Sequence, residues 1–414
     1  MLGKLSSFLS SNEPLPSSHT APRRADTYVN LSKELEQAGV PTSETDCASC
    51  SNPCLEPSNG SGSINEIIYN GKSYEEYVLE KYGDLGELPK GFDTDWESDL
   101  QGSSKGGTGR VIVISTGKSD WERDHVDEKD SLAHHLNKVI SSAPIPANST
   151  ETKSKSTFPF ISPSQFPSPS EPLSKPIPTL PSLYSSSLIS QSDDPSDQSV
   201  LVFPDWKVVH EIDNSPDGAK SLFDNQLSSE LGRSGKPFEV EDEFSRRRSW
   251  VLPYRAVILL CSHKKRDKRC HIAAPLLRSA LHTVLQKHGV EIDEDGSSLS
   301  HLDGPPLEEM HGSDTERESE VGKRIGEIES VQGGEGGQVG IFNINHLGGH
   351  RYAGVMLILF PSGAYISYGR VTPAEIPRVV EDTILQGKIV PGLLRNAVGV
   401  ERPGVKTGKG FLSW

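Results

Sequence analysis

Residues 256–270 have the sequence AVILLCSHKKRDKRC, and this stretch decides the fold that we predict. Its apolar start predicts a β-strand ending at Cys261, because short, continuous apolar runs are typical of strands covered on both faces. The polar residues that follow predict a loop, and residues 271–288 predict a helix. The stretch is therefore a strand–loop–helix unit with a cysteine at each end of the loop.

An earlier stretch, residues 110–125, repeats this pattern as RVIVISTGKSDWERDH. When the two stretches are aligned without a gap, strand, loop and helix start match. Ser115 and Asp124 then stand where the later stretch has its two cysteines. We interpret this as an internal duplication in which only the second copy keeps the cysteines.

Each half continues through an insert to two more predicted strands, the first of them ending in Phe-Pro. These strands are residues 200–204 and 207–211 in the first half and residues 355–361 and 364–368 in the second. Short apolar strands that alternate with helices indicate an α/β sheet with helical cover. The element order suits a thioredoxin-like unit, although periodicity alone does not distinguish it from other small α/β folds.

Low-complexity segments divide the chain. Its hydrophobic fraction of 34%, with 30 prolines and 38 glycines among 414 residues, indicates long segments that bury too little apolar area to fold. We predict a disordered N-terminus over residues 1–40 and a first half over 41–240 with a Ser/Pro-rich insert at 141–199. The second half covers 241–414, with an acidic, Gly-rich insert at 291–338.

Charge and hydropathy exclude several classes of partner. The net charge of −15 argues against nucleic acid or an anionic membrane as the main partner. No apolar run reaches the length that a membrane-spanning helix needs. We expect neither a nucleic-acid partner nor a membrane partner.

Two cysteines and two histidines form the candidate site. Cys261 and Cys270 flank a loop with five Lys and Arg residues, a setting that favours thiolates and metal or redox use. His346 and His350 lie in the sequence NHLGGH between two predicted strands. The glycines between them make a helix improbable there, because each costs about 1 kcal/mol relative to alanine. We therefore predict a metal site at strand ends.

The spacing limits which metal fits. Zinc accepts two cysteines with two histidines, but structural zinc sites mostly use closely spaced ligand pairs, unlike Cys261 and Cys270. Pairs of cysteines and histidines also hold Rieske-type [2Fe–2S] clusters. Cys261 and His263 match the first part of the Rieske sequence, but the residues after Cys270 do not match the second. Rieske architecture is therefore excluded.

The segments CSHKKRDKRC and HLGGHRYAGVMLILFPSG resemble the sucrase/ferredoxin-like family of fungi and plants. The resemblance is strong in the C-terminal half and weak in the N-terminal half. It implies two thioredoxin-like ferredoxin halves, the first degenerate, and a bis-histidinyl [2Fe–2S] cluster. The ligands implied by this resemblance are Cys261, Cys270, His346 and His350.

The family match also extends to an Arg-Asp pair and implies a function. Arg266 and Asp267 match the family's pair. They either support the ligands or are simply a pair in a solvated loop. The implied function is one-electron transfer with an unknown redox partner protein. The sequence contains no nucleophile–base pair or other catalytic signature, so we expect an electron carrier rather than an enzyme.

Two alternative functions are compatible with these cysteines. One is a zinc-stabilised structural or adaptor module with the same four ligands. The other is a thioredoxin-type thiol oxidoreductase that uses Cys47 and Cys50, which with Cys54 form a second cysteine cluster. That cluster is also compatible with zinc binding or with no function.

The end of the chain bears on localisation. Its last residues, Leu412-Ser413-Trp414, resemble the tail signal by which the cytosolic iron–sulfur assembly machinery recognises its clients. The alternative is a hydrophobic residue that packs on the domain. We expect that machinery as a partner and a cytoplasmic location, with a mitochondrial one as the alternative.

Overall fold

The computed structural model of the protein describes residues 25–43, 69–96, 98, 100, 102–104, 109–143, 161–162, 180–239, 246–400 and 410–412. The side chains of residues 25–30, 161–162 and 350 are not among those described. Cys47, Cys50 and Cys54, most of the predicted insert at 141–199, and Ser413 with Trp414 lie outside the described residues. The predictions made for them remain predictions.

Twelve strands in the described part of the chain form one mixed sheet. In chain order they are β1 Val111–Ser115, β2 Ile161–Ser162, β3 Ser182–Ser186, β4 Gln198–Phe203, β5 Lys207–Ile212, β6 Arg248–Val251, β7 Ala256–Cys261, β8 Glu291–Asp293, β9 Gln338–Ile344, β10 Met356–Leu359, β11 Tyr365–Tyr368 and β12 Leu394–Val398. Their order across the sheet is β2-β12-β11-β10-β7-β9-β3-β1-β4-β5-β6, with β8 also paired to β9.

Seven α-helices of the described residues pack on this sheet. They are α1 Ala25–Gln37, α2 Tyr74–Tyr82, α3 Leu132–Ser142, α4 Pro216–Leu222, α5 Lys268–Lys287, α6 Asp314–Gly326 and α7 Ile376–Arg378. π-Helical turns extend α4 over Phe223–Leu227 and α7 over Val379–Leu385. The prediction of an α/β fold is confirmed.

The same pairing pattern occurs twice in the sheet. In the first set β1 pairs with β3 in parallel and with β4 antiparallel, and β4 pairs antiparallel with β5. In the second set β7 pairs with β9 in parallel and with β10 antiparallel, and β10 pairs antiparallel with β11. One antiparallel pair, Ser186 with Ile344, joins the two sets.

The central strand β7 faces a core on each side because successive side chains of a strand point to opposite faces. Ile258 and Leu260 pack in the core that contains the apolar residues of α5 and α7. Val257 and Leu259 pack in the opposite core. Burial on both faces explains why the strand is continuously apolar.

The prediction of an unfolded insert at 291–338 needs correction. This segment contains β8 and α6, and α6 begins with a capping box formed by Ser313 and Glu316. Val321 and Ile325 of this helix are fully buried in the core that Val257 and Leu259 of β7 face. The segment is therefore a folded cover for one face of the sheet, because its few apolar residues are spaced to form one buried stripe.

Two other disorder predictions also need correction. Residues 25–37 form α1, whose Leu31 and Leu35 are buried in the core beside α5, although we predicted disorder over residues 1–40. Strand β3 lies inside the predicted insert at 141–199 and pairs with β1 along its whole length. Its sequence SLYSS is polar, so tertiary pairing rather than apolar patterning determines this strand.

Candidate redox site

The two cysteines are brought together at the end of β7. Cys261 is the last residue of the strand, and Cys270 lies in the first turn of α5, so the loop of residues 262–269 returns the chain to its starting point. Both cysteines are buried and neither forms a disulfide. Val355 and Leu347 pack against them, which shields the two sulfur atoms from water.

The surroundings of the two cysteines shift their pKa values in opposite directions. Hydrogen bonds from the Cys270 thiol, from His346 and from the Leu347 amide lower the pKa of Cys261 well below its usual value, although burial opposes the shift. The interaction with Cys261, together with burial, raises the pKa of Cys270. The hydrogen bonds to Cys261 therefore favour its thiolate, the form of cysteine that binds metals.

His346 lies beside Cys261. Its Nδ1 atom is 3.9 Å from the Cys261 sulfur. The positions come together because β9 runs parallel to β7 and Ile344 lies opposite Cys261, so the loop after β9 starts where β7 ends. Three of the four predicted ligands thus meet at one end of the sheet. His350 begins the short helical turn His350–Tyr352 close by in the chain, and its side chain lies outside the described residues.

Among the described side chains, no three His, Cys, Asp or Glu residues are arranged to hold a metal ion. A two-iron cluster with two protein ligands on each iron does not require three ligands around one point. Two buried cysteines, with an imidazole near Cys261, are donors that would suit such a cluster.

The glycines between the two histidines adopt left-handed backbone conformations. Gly348 has φ of 75° and Gly349 has φ of 66°, values at which residues with a Cβ are strained. A Cβ at Gly349 would lie 2.3 Å from Nη2 of Arg395, whereas one at Gly348 would meet nothing within 4 Å. Gly349 is therefore required both for the turn and for the close approach of the Arg395 guanidinium.

Arg395 is a residue that the sequence analysis missed. It is fully buried in β12 and is held by Ser103, whose hydroxyl accepts from Nε at 3.0 Å and whose carbonyl accepts from Nη2 at 2.9 Å. Burial lowers the pKa of Arg395, while nearby Tyr365, Cys261 and Cys270 oppose the shift. The sequence did contain a signal for this residue, because Arg395 lies within the mostly apolar segment LLRNAV. Buried arginines are rare unless they are paired, so an arginine in such a segment indicates a specific role.

Arg266 and Asp267, the matched Arg-Asp pair, have different positions. Asp267 caps α5 by accepting a hydrogen bond from the Arg269 amide, and it also pairs with the Arg269 guanidinium at 2.8 Å. It thus fixes the helix turn that carries Cys270. Arg266 is exposed, and its Nη1 is 3.5 Å from the Arg123 carbonyl.

The loop between the cysteines contacts the matching loop of the first strand set. His263 is buried, its Nε2 lies 3.0 Å from the Trp121 carbonyl, and its ring packs edge-on against Trp121. Lys265 pairs with Glu122 at 2.7 Å. The loop after β1 thus restrains the loop that carries the cysteines, so the site depends on both strand sets.

In the first strand set the cysteine position has a structural role. Ser115 ends β1 as Cys261 ends β7, and its hydroxyl accepts a hydrogen bond from the Ser199 amide at 2.9 Å. The hydrogen bonds of the Ser115 hydroxyl are therefore with residues of β4, the strand that neighbours β1 in the sheet.

None of the helices in the described part of the chain combines the length and apolar character needed to cross a membrane. No solved structure matches this protein.

The chain is similar to three curated fungal proteins over about a third of its length. It is 32% identical over 132 residues to Actin patches distal protein 1 of Saccharomyces cerevisiae, a match of 32% of this chain and 30% of that protein. It is 25% identical over 142 residues to Altered inheritance of mitochondria protein 32 of Clavispora lusitaniae, and 28% identical over 145 residues to the protein of that name from Debaryomyces hansenii. These two matches cover 34% of this chain, and 35% and 36% of the relatives. The chain thus aligns with only about a third of the length of each relative.

The family comparison covers far more of the chain. The model of the family described as sucrase/ferredoxin-like matches residues 100–396, which include both strand sets, the two cysteines, the two histidines and Arg395. The match confirms the resemblance found in the sequence. The chain belongs to the sucrase/ferredoxin-like family.

Proposed function

We propose that the protein is a one-electron carrier with a bis-histidinyl [2Fe–2S] cluster held by Cys261, Cys270, His346 and His350. The observation that carries the proposal is the meeting of two buried, unbridged cysteines with His346 at the end of β7. Such a cluster, when bound, supplies reversible transfer of one electron.

The residues around the ligands suit this task. The Leu347 amide and His346 stabilise negative charge on Cys261, as hydrogen bonds to a thiolate do. Arg395 adds a fixed positive charge behind the histidine loop. Val355 and Leu347 exclude water from the sulfur atoms, which favours retention of a metal group there.

We further propose that the two strand sets are two thioredoxin-like halves, of which the first has lost the ligands. The repeated pairing pattern and the equivalent positions of Ser115 and Cys261 support this. The first half then restrains the loop between the cysteines through Trp121 and Glu122. The partner would be a redox protein, and the proposed location is the cytoplasm.

Metal analysis tests the function. Protein purified without oxygen is expected to contain about two irons per chain, little zinc, and a visible absorption that changes on reduction. Cys261→Ser removes a ligand, so iron and absorption should be lost. Cys50→Ser is the matched control and should keep both.

Two results would contradict the proposal. A colourless protein with zinc would favour the structural or adaptor alternative. A protein without metal whose disulfide exchange requires Cys50 would favour the thiol oxidoreductase.

A further inference from the structure

A second candidate site lies between α5 and the ends of β7 and β9. It is a cavity of about 310 Å³, at the lower end of the range for small-molecule sites, about 300–1,000 Å³. Ser262, the residue after Cys261, lines the cavity. Its side chain points away from that of Cys261, because successive side chains of an extended chain point in opposite directions. The other walls include Asn343 of β9, one face of α5, and Ser119 in the loop after β1.

Polar atoms in the walls have unused hydrogen-bonding capacity. Ser262 is only 2% exposed, and its hydroxyl has no hydrogen-bond partner among the described residues. The side-chain oxygen of Asn343 and Nη2 of Arg278 are likewise buried and without a hydrogen-bond partner in that part of the chain. Buried polar groups are nearly always bonded, because leaving one unbonded is unfavourable. These three atoms therefore point to a bound polar group.

The hydrogen-bond donors of the walls favour an anion. Arg278 contributes a positive charge, and no acidic side chain of the described residues lines the cavity. Glu294, outside the lining, is 3.1 Å from Nε of Arg278 and 3.0 Å from Nε2 of His282. It is an ion-pair partner on the Nε side of the guanidinium, and it forms no hydrogen bond with Nη2 of Arg278. Arginine and a hydroxyl group are suitable donors to a carboxylate.

The Asn343 oxygen adds a second requirement. It is an acceptor, so its partner must carry an O–H or N–H group. We propose that the cavity binds a small hydroxy- or amino-carboxylate. The carboxylate faces Arg278 and Ser262, and the hydroxyl or ammonium group faces Asn343. This binding is additional to electron transfer and does not rest on the cluster.

Calorimetric titration of the full chain, purified with whatever metal it holds, tests the proposal. Malate and glutamate are the two carboxylate probes, and inorganic phosphate is the third. We expect at least one carboxylate to bind at millimolar concentration or below. Arg278→Gln should weaken that binding about tenfold or more, because it removes a charged hydrogen-bond donor. Lys287→Gln, which removes the same charge from an exposed position on α5, should leave binding unchanged.

A second variant tests the location without removing a charge. Ser279 is exposed and lines the cavity, so Ser279→Trp should obstruct it and abolish binding while the circular dichroism spectrum is retained. Absence of binding by both carboxylates would overturn the proposal, as would binding that neither Arg278→Gln nor Ser279→Trp weakens. Binding of phosphate alone would also overturn the carboxylate assignment.

Discussion

At the scale of single residues, the loop between the histidines is under two separate constraints. Gly348 and Gly349 both need a left-handed backbone, but only Gly349 is also in close contact, with Arg395. The sequence revealed the first constraint, because two adjacent glycines argue against a helix. It did not reveal the second, because Arg395 lies 46 residues further along the chain (395 − 349) and meets the loop only in the folded sheet.

This difference gives a matched pair of substitutions. Gly348→Ala should destabilise the protein by about 1 kcal/mol, the cost of a left-handed alanine. Gly349→Ala should cost about 1–3 kcal/mol more, because the added methyl group overlaps the Arg395 guanidinium. Chemical denaturation measures both changes, and the iron content of the purified variants should fall in the same order. Equal effects of the two substitutions would contradict the proposed role of Arg395.

At the scale of elements, the sequence predicted the units whose apolar residues are local and continuous. Strand β7 and helix α5 lie close to where the pattern at 256–288 placed them. Strand β3 was missed because SLYSS carries no such pattern and becomes a strand by pairing with β1. Helix α6 was missed because most of its residues are charged or polar, and its apolar stripe consists of only Val321 and Ile325.

The buried stripe of α6 can be tested by truncation. Ile325→Ala should reduce the free energy of unfolding by about 2–5 kcal/mol, because it leaves a cavity against the sheet. Lys323→Ala, two residues away on the exposed side of the same helix, should change it by less than about 0.5 kcal/mol. If Ile325→Ala were as mild as the control, α6 would not cover the sheet as described.

At the scale of the whole molecule, the segment before β1 docks onto the second strand set through a partly buried polar cluster. Glu381 accepts hydrogen bonds from Tyr77, Lys81 and Tyr82, all on α2. Burial raises the pKa of Glu381, but these bonds and His288 outweigh it and lower the pKa to about 2. The hydrogen bond with Glu381 is also the main reason why the pKa of His288 is raised.

The sign of these shifts predicts how docking depends on pH. Because the pKa of Glu381 falls from 4.5 to about 2 on folding, its contribution is present above pH 4.5 and is lost as the pH falls toward 2. The contribution of His288 has the opposite sign. It is present below the ordinary histidine value of 6.5 and is lost as the pH rises through the higher folded pKa.

Glu381→Gln tests this dependence. The variant should be less stable than the wild type at neutral pH by on the order of 3 kcal/mol, and the difference should shrink as the pH falls below 4.5. Glu75→Gln, at an exposed position of α2, should show no such trend. Denaturation curves at several pH values measure both. A difference that stays constant with pH would exclude an ionised Glu381 as the basis of docking.

The central claim concerns ligands, and pulsed electron paramagnetic resonance of the reduced protein tests it most directly. The protein is produced with ¹⁵N-labelled histidine and otherwise unlabelled nitrogen, purified without oxygen and reduced chemically. We predict a signal from one unpaired electron on a two-iron cluster, with couplings to two ¹⁵N nuclei, and loss or change of one coupling in His346→Ala. A reduced iron signal without ¹⁵N coupling, or no iron signal at all, would contradict a cluster bound by His346 and His350.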